Sequence, residues 1–393
     1  MASKVILHVG SPKTGTSFLQ EQFYAHRETL LESGVLYPAD RFDQHFLAAV
    51  DLMGLKWGGL EAEAVGHWDR LAAQVRAWPG TAIISHEILA RARSEEVARA
   101  LESLGGEVHV VVSARDLARQ IPAEWQENVK HRRVKTYAEF LAGIQDPARD
   151  SILAQWFWGV QETPDVLDRW GSTLPPERVH LVTVPPAGSA PDLLWKRFAV
   201  VFGLATEGDV PAEKKNASLG VAEVSVVRAL NEQVNGVLAN EHYRALVREA
   251  LVHQNLSKER TSARLSLPEA TWAWAEELSR AWVADIAGRG YDVVGDLDDL
   301  VPRPASPYVD PASVTDAELA PVLLRALTAM TLEGGRLREE IAARDEVIAE
   351  QHRQLEAVYS TRSYRLKQKL VAKAADNKAA GAGLAAYRRL RGD

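Results

Sequence analysis

At 393 residues the chain has room for one large domain with an extension, or for two modest domains. Hydrophobic residues make up 46% and charged residues 25%, which permits a sizeable core and excludes a globally disordered chain. The net charge of −7 argues against a dedicated nucleic-acid binder, and with no cysteine anywhere, disulfides, thiolate metal sites and a cysteine nucleophile are excluded.

The N-terminus, Met1-Ala2-Ser3-Lys4, runs directly into the apolar stretch 5–9, which is too short for the core of a signal peptide. No stretch approaches the length of a membrane span, so a soluble, cytoplasmic protein is expected. Four short β-rich runs follow in order: 5–9, 81–85, 108–113 and 179–184. Being apolar on both faces, they read as buried parallel strands. Segments of helical periodicity lie between them, including 17–33, 68–78, 94–104 and 118–132. The alternation predicts a doubly wound α/β sheet. Residues 216–290 read as helical, with Trp272, Trp274 and Trp282 as packing residues.

The segment Val301-Pro302-Arg303-Pro304 marks a domain end, so the main domain is expected over 1–301. A linker with a short helix is expected over 302–331. Over 332–358, Ile341, Ile348 and Leu355 recur every seven residues, which fits either a short, imperfect coiled coil or an amphipathic helix docked on its own domain. The tail 359–393 carries nine Lys/Arg against two acids, a net charge of +7 that leaves −14 for the remainder. Such a tail suits anionic lipid or polyanionic glycan, and it equally suits plain solvation.

The stretch with the most chemical content is Gly10-Ser11-Pro12-Lys13-Thr14-Gly15-Thr16-Ser17, between a strand and a helix. Backbone amides in such a turn, with the helix N-terminus behind them, form an anion site. Thr16 and Ser17 are candidates to cap the helix and to donate to a phosphate oxygen. The Gly10…Gly15 spacing matches the start of a nucleotide-triphosphate P-loop, yet Thr16 stands where that loop has its lysine. The cation here is Lys13, in mid-loop. No strand ends in a carboxylate suited to Mg²⁺.

The run Ser11–Ser17 resembles the 5′-phosphosulfate-binding loop of the sulfotransferase family, which uses a P-loop-like α/β fold. The resemblance implies that 3′-phosphoadenosine-5′-phosphosulfate is the co-substrate, held by Ser11, Pro12, Lys13, Thr14, Gly15, Thr16 and Ser17, with no metal. It also implies that Lys13 stabilises charge on the departing nucleotide, as fixed cations do in phosphoryl transfer. After the strand 108–113, Arg115 resembles the family's 3′-phosphate arginine. Eight positions on the family has serine, whereas this chain has Ala123, and Arg119 and Gln120 are the candidate substitutes. The loop Lys214-Lys215-Asn216-Ala217-Ser218 resembles, more loosely, the late loop that closes over the nucleotide, with Ser218 as its contact.

An attacking hydroxyl must lose its proton, so a base is needed near Lys13. His45 and Glu87 are the candidates: His45 lies in the interval where glycan-acting members of the family carry theirs, and Glu87 follows the strand 81–85. His86 is placed lower because strand alternation turns it away from Glu87. The tail segment Ser360-Thr361-Arg362-Ser363-Tyr364-Arg365-Leu366 resembles a motif of bacterial surface-polysaccharide enzymes, which tilts the expected acceptor toward a glycan or glycolipid hydroxyl. Trp57, Trp125, Trp156 and Trp158 are candidates to stack on sugar rings. A P-loop kinase and a catalytically inactive scaffold of the same fold, working through its C-terminal helix, remain the alternatives.

Overall fold

The computed structural model describes residues 2–204, 218–303 and 307–375. The chain divides into two units, Met1–Ala326 and Leu327–Asp393. The first is built on a six-stranded, all-parallel sheet: β1 (Lys4–Gly10), β2 (Val35–Leu36), β3 (Thr81–Ser85), β4 (Glu107–Ala114), β5 (Val179–Thr183) and β6 (Asp292–Val294). The order across the sheet is β2-β3-β1-β4-β5-β6. This is the predicted α/β architecture, and the four predicted strands are its four inner strands.

The inner strands are apolar on both faces because helices cover both, and Val5, Leu7, Ile83, Val110, Val112 and Leu181 are fully buried. The edge strands β2 and β6 have two and three residues, too few to show a period. One face of the sheet packs Ile6, Ile83, Val111 and Val182 against Leu19, Phe23, Phe198 and Phe202 from flanking helices.

The predicted helix 17–33 is two helices, α1 (Thr16–Ala25) and Arg27–Glu32, broken at His26. The predicted segment 118–132 is the helix Leu117–Lys130, here called the β4 helix. Asp116 caps it by accepting from the Arg119 amide at 3.0 Å. Residues 221–287 carry the helices Val221–Val234 and Glu269–Ala287, with a 14-residue π-helix, Tyr243–Leu256, between them. Trp125 and Trp158 are core residues whose indole N–H groups donate to Lys135 and Ile144 carbonyls, so they are not free to stack on a sugar. Trp274 and Trp282 pack edge-on against Trp158.

From Asp316 a single helix runs to Ser360, through Pro321 and the pair Gly334-Gly335, where a short helix and a separate one were expected. In the second unit it is followed by the helix Arg362–Ala375. Residues 376–393 of the basic tail lie outside the described residues. Among the described residues no helix is long and apolar enough to cross a membrane.

Candidate functional site

β1 is the switch point of the sheet: the chain leaves it toward β2 and β3 on one side, then returns past it to β4 on the other. Ligands of open α/β sheets bind in the crevice that this reversal opens at the strand ends. The loop Gly10–Ser17 occupies that position. Gly10 has φ 121, and a Cβ there would lie 2.7 Å from the Glu87 carbonyl, so only glycine lets the loop pass this close to the end of β3.

α1 begins at Gly15, in the left-handed conformation with φ 90, and no side chain caps it. Thr16 and Ser17 therefore do not cap the helix as expected. They form its first turn, with Thr16 buried and Ser17 exposed. The first-turn amides have no acceptor within the helix and point into the loop. The Ser11 hydroxyl adds an orphan, since Ser11 is 2% exposed and its Oγ has no hydrogen-bond partner among the described residues. A buried hydroxyl left unmatched beside free amides fits a loop that holds an anion.

Beneath the loop lies a buried polar network. The His8 ring bridges Ser85 (2.8 Å) on β3 and Ser113 (3.0 Å) on β4. The Ser113 hydroxyl donates to the Gly10 carbonyl at 3.0 Å and meets the Thr14 hydroxyl at 2.6 Å, and Thr14 donates to the Ser11 carbonyl. Burial lowers the His8 pKa to about 4, so the ring is neutral at pH 7, donating from Nε2 to Ser113 and accepting at Nδ1 from Ser85. His8→Ala would strand the buried Ser85 hydroxyl, take one of three partners from Ser113, and open a cavity. The expected loss is on the order of 3 kcal/mol, read as a lowered midpoint in urea unfolding.

Lys13 also has a left-handed backbone, φ 65, which costs a non-glycine residue about 1–2 kcal/mol. Its Nζ lies 2.6 Å from Glu127 Oε2 on the β4 helix, and the side chain is 31% exposed. Gln120, on the same helix, donates to the Pro12 carbonyl at 2.6 Å, so the loop runs along this helix.

Three carboxyl groups feel the Lys13 charge. Glu87 begins the turn after β3, is half-buried, and accepts from Gln20 at 2.7 Å. Burial pulls its pKa up, but His86, the Gln20 amide and Lys13 outweigh that and leave it below the ordinary value. Glu124 is 5% exposed and accepts from Gln161 at 3.0 Å. Burial pushes its pKa up to about 7 against the pull of Lys13. Glu127 would also be raised by burial, but His131, Lys13 and Lys130 hold it well below the usual carboxylate range.

The other expected residues are placed less simply. His45 is 3% exposed, with Nδ1 accepting from the Ser85 amide at 3.2 Å and Nε2 donating to the Pro38 carbonyl at 3.1 Å. Both nitrogens are used and burial lowers its pKa to about 4, so His45 braces β3 instead of facing the acceptor. His86 uses its Nδ1 to cap the turn after β3, accepting from the Ile88 amide at 3.3 Å. Arg115 lies at the end of β4 as expected, its guanidinium bound to the Gln120 side chain at 2.9 Å and the Arg119 carbonyl at 3.0 Å. Arg119 is committed to Asp116 and to the Pro185 and Val184 carbonyls, which removes it as the substitute for the missing serine at Ala123. Ser218 is half-buried, next to Leu219, whose carbonyl accepts from Gln126 of the β4 helix at 3.0 Å. Lys214, Lys215, Asn216 and Ala217 lie outside the described residues.

No protein-family model matches the chain, and no curated protein matches it. The chain is similar to a solved structure, that of a sulfotransferase from Alicyclobacillus acidocaldarius, at 15% identity and a TM-score of 0.35, over 62% of this chain and 94% of that one. A likeness of that size assigns neither site nor reaction, which rest on the residues themselves.

Glu124, Glu127 and Lys130 were missed in the sequence. Their three-residue spacing along a segment already read as helical was the available signal. Arg248, 3.6 Å from Glu127, had none, because it comes from the distant π-helix.

Proposed function

We propose that the protein transfers a sulfuryl group from 3′-phosphoadenosine-5′-phosphosulfate to an acceptor hydroxyl. The observation that carries this reading is a lysine in mid-loop, at the switch point of the sheet, beside an orphaned buried hydroxyl and an uncapped helix N-terminus. In this reading the amides of residues 14–17 and the Ser11 hydroxyl hold the 5′-phosphosulfate. Lys13 leaves Glu127 for the bridging oxygen, and Arg115 exchanges its Gln120 partner for the 3′-phosphate.

In the transfer step the acceptor oxygen forms a bond to sulfur as the bond from sulfur to the bridging oxygen breaks. The bridging electron pair stays on the 5′-phosphate, where Lys13 offsets the charge. The hydroxyl proton passes to a carboxylate. Glu87 and Glu124 are the two candidates, and their pKa values move in opposite directions. A glycan or glycolipid hydroxyl is the proposed acceptor class, on the resemblance of Ser360–Leu366 to the polysaccharide-enzyme motif.

Titration calorimetry tests the donor assignment. Binding of 3′,5′-adenosine bisphosphate without Mg²⁺ is the expected result. Mg²⁺-dependent ATP binding in its place would make the protein a kinase, and no nucleotide binding would make it a scaffold.

A further inference from the structure

Three cationic side chains converge on the Glu127 carboxylate, Lys13 at 2.6 Å, Arg248 at 3.6 Å and Lys130 at 3.8 Å, and the His131 ring hydrogen-bonds it at 3.2 Å. The transfer reading gives Lys13 to the donor and leaves Lys130 and Arg248 without a task. Resting on that reading, we propose that Lys130 and Arg248 form a subsite for an oxyanion carried by the acceptor, a carboxylate or phosphate monoester close to the reacting hydroxyl.

Charge is the first argument. Once Lys13 turns to the phosphosulfate, Lys130 and Arg248 face one carboxylate, and the group is left with an excess positive charge. Lys130 is largely buried, its side chain 12% exposed, and the burial lowers its pKa. A largely buried lysine beside a half-buried arginine, with one carboxylate between them, is stabilised by a second anion. Arg248 supplies the second argument, because its Nε is buried and has no hydrogen-bond partner among the described residues. A guanidinium with a spare N–H matches the planar, two-oxygen face of a carboxylate or phosphate.

The local backbone supports the same conclusion. Arg248 and His253 are five residues apart in the π-helix, the spacing that its i to i+5 hydrogen bonding places one turn apart. Lys130 and Arg248 both lower the His253 pKa, after burial, which places it in the same electrostatic neighbourhood. π-helical turns are rare and concentrate at functional sites.

Position assigns this charge to the acceptor and not to the nucleotide. Arg115 stands at the start of the β4 helix, and Lys130 ends it, 13 residues after Leu117, or about 20 Å along the axis. Lys13 meets the helix between the two, at Glu127, and Pro12 meets it at Gln120. The cations thus lie at the far end of the helix from Arg115, the residue that the transfer reading gives to the 3′-phosphate, and next to Lys13, which it gives to the reacting end of the donor.

The test measures binding of three sugars to the full-length protein loaded with 3′,5′-adenosine bisphosphate: methyl β-glucuronide, glucose 6-phosphate and methyl β-glucoside. At least one anionic sugar is expected to bind roughly tenfold tighter than the glucoside, and Arg248→Gln and Lys130→Gln are each expected to erase that preference. Nucleotide affinity should change less than about twofold in both variants. The carboxylate and phosphate arms tell which oxyanion is preferred. Equal binding of the three sugars, no binding of any, or a tenfold loss of nucleotide affinity in either variant overturns the proposal while leaving the transfer reading standing. Failure of the unmodified protein to bind the nucleotide overturns both.

Discussion

Lys13→Ala is expected to lower turnover by roughly 10²-fold or more, the scale for losing one oriented charge from a transfer site. The fold should survive it. Alanine can occupy the left-handed position as well as lysine does, and the Lys13 side chain is partly exposed. Glu127 keeps His131, Arg248 and Lys130 within 3.8 Å, so the substitution does not leave a bare buried carboxylate. A stability change within about 1 kcal/mol is therefore expected. Turnover in a labelled-sulfate assay and thermal melting of the same sample check both halves. A large fall in activity with an unchanged melting temperature places the lysine in the chemistry, and unchanged activity removes it.

The second large effect concerns Glu124 and pH. If Glu124 takes the acceptor proton, kcat/KM must rise with pH through about 7, because only the ionised carboxylate is a base. If Glu87 takes it, the rising limb falls below the ordinary glutamate range, since its pKa is lowered, and the rate is flat near neutrality. Stability gives an independent check with a definite sign. The folded pKa of Glu124 lies above the unfolded value of 4.5, so between about pH 4.5 and 7 the unfolded chain releases the proton first and wild-type stability falls as pH rises. Glu124→Gln keeps an acceptor for Gln161 and has no proton to lose. The variant should match the wild type near pH 4 and exceed it at pH 8 by on the order of 3 kcal/mol. Denaturant melts at the two pH values measure it. A gain of equal size at both would show that ionisation is not the cause.

The same residues show what a sequence can and cannot disclose. The inner strands were legible because burial on both faces leaves near-continuous apolar runs, and the loop was legible because its chemistry is local, an eight-residue run from the last residue of a strand into the first turn of a helix. His45 misled because its position along the chain resembles that of a base. Its function is decided by two backbone groups, the Ser85 amide and the Pro38 carbonyl, which periodicity does not reveal. Arg119 misled in the same way, since its occupation by Asp116 and two carbonyls depends on how β5 ends beside the β4 helix. The Lys13–Glu127 pair spans more than a hundred positions and joins two elements that meet only when the sheet is assembled. The π-helix carrying Arg248 differs from an α-helix by one residue per hydrogen-bonded turn, a difference no hydrophobic pattern records.

The structure of the protein with 3′,5′-adenosine bisphosphate bound is the most direct measurement of the central claim. The account predicts the 5′-phosphate among the amides of residues 14–17, with the Ser11 hydroxyl partnered and Lys13 Nζ drawn off Glu127 toward it. A nucleotide bound anywhere else, or one bound there with Lys13 still paired to Glu127, would contradict it.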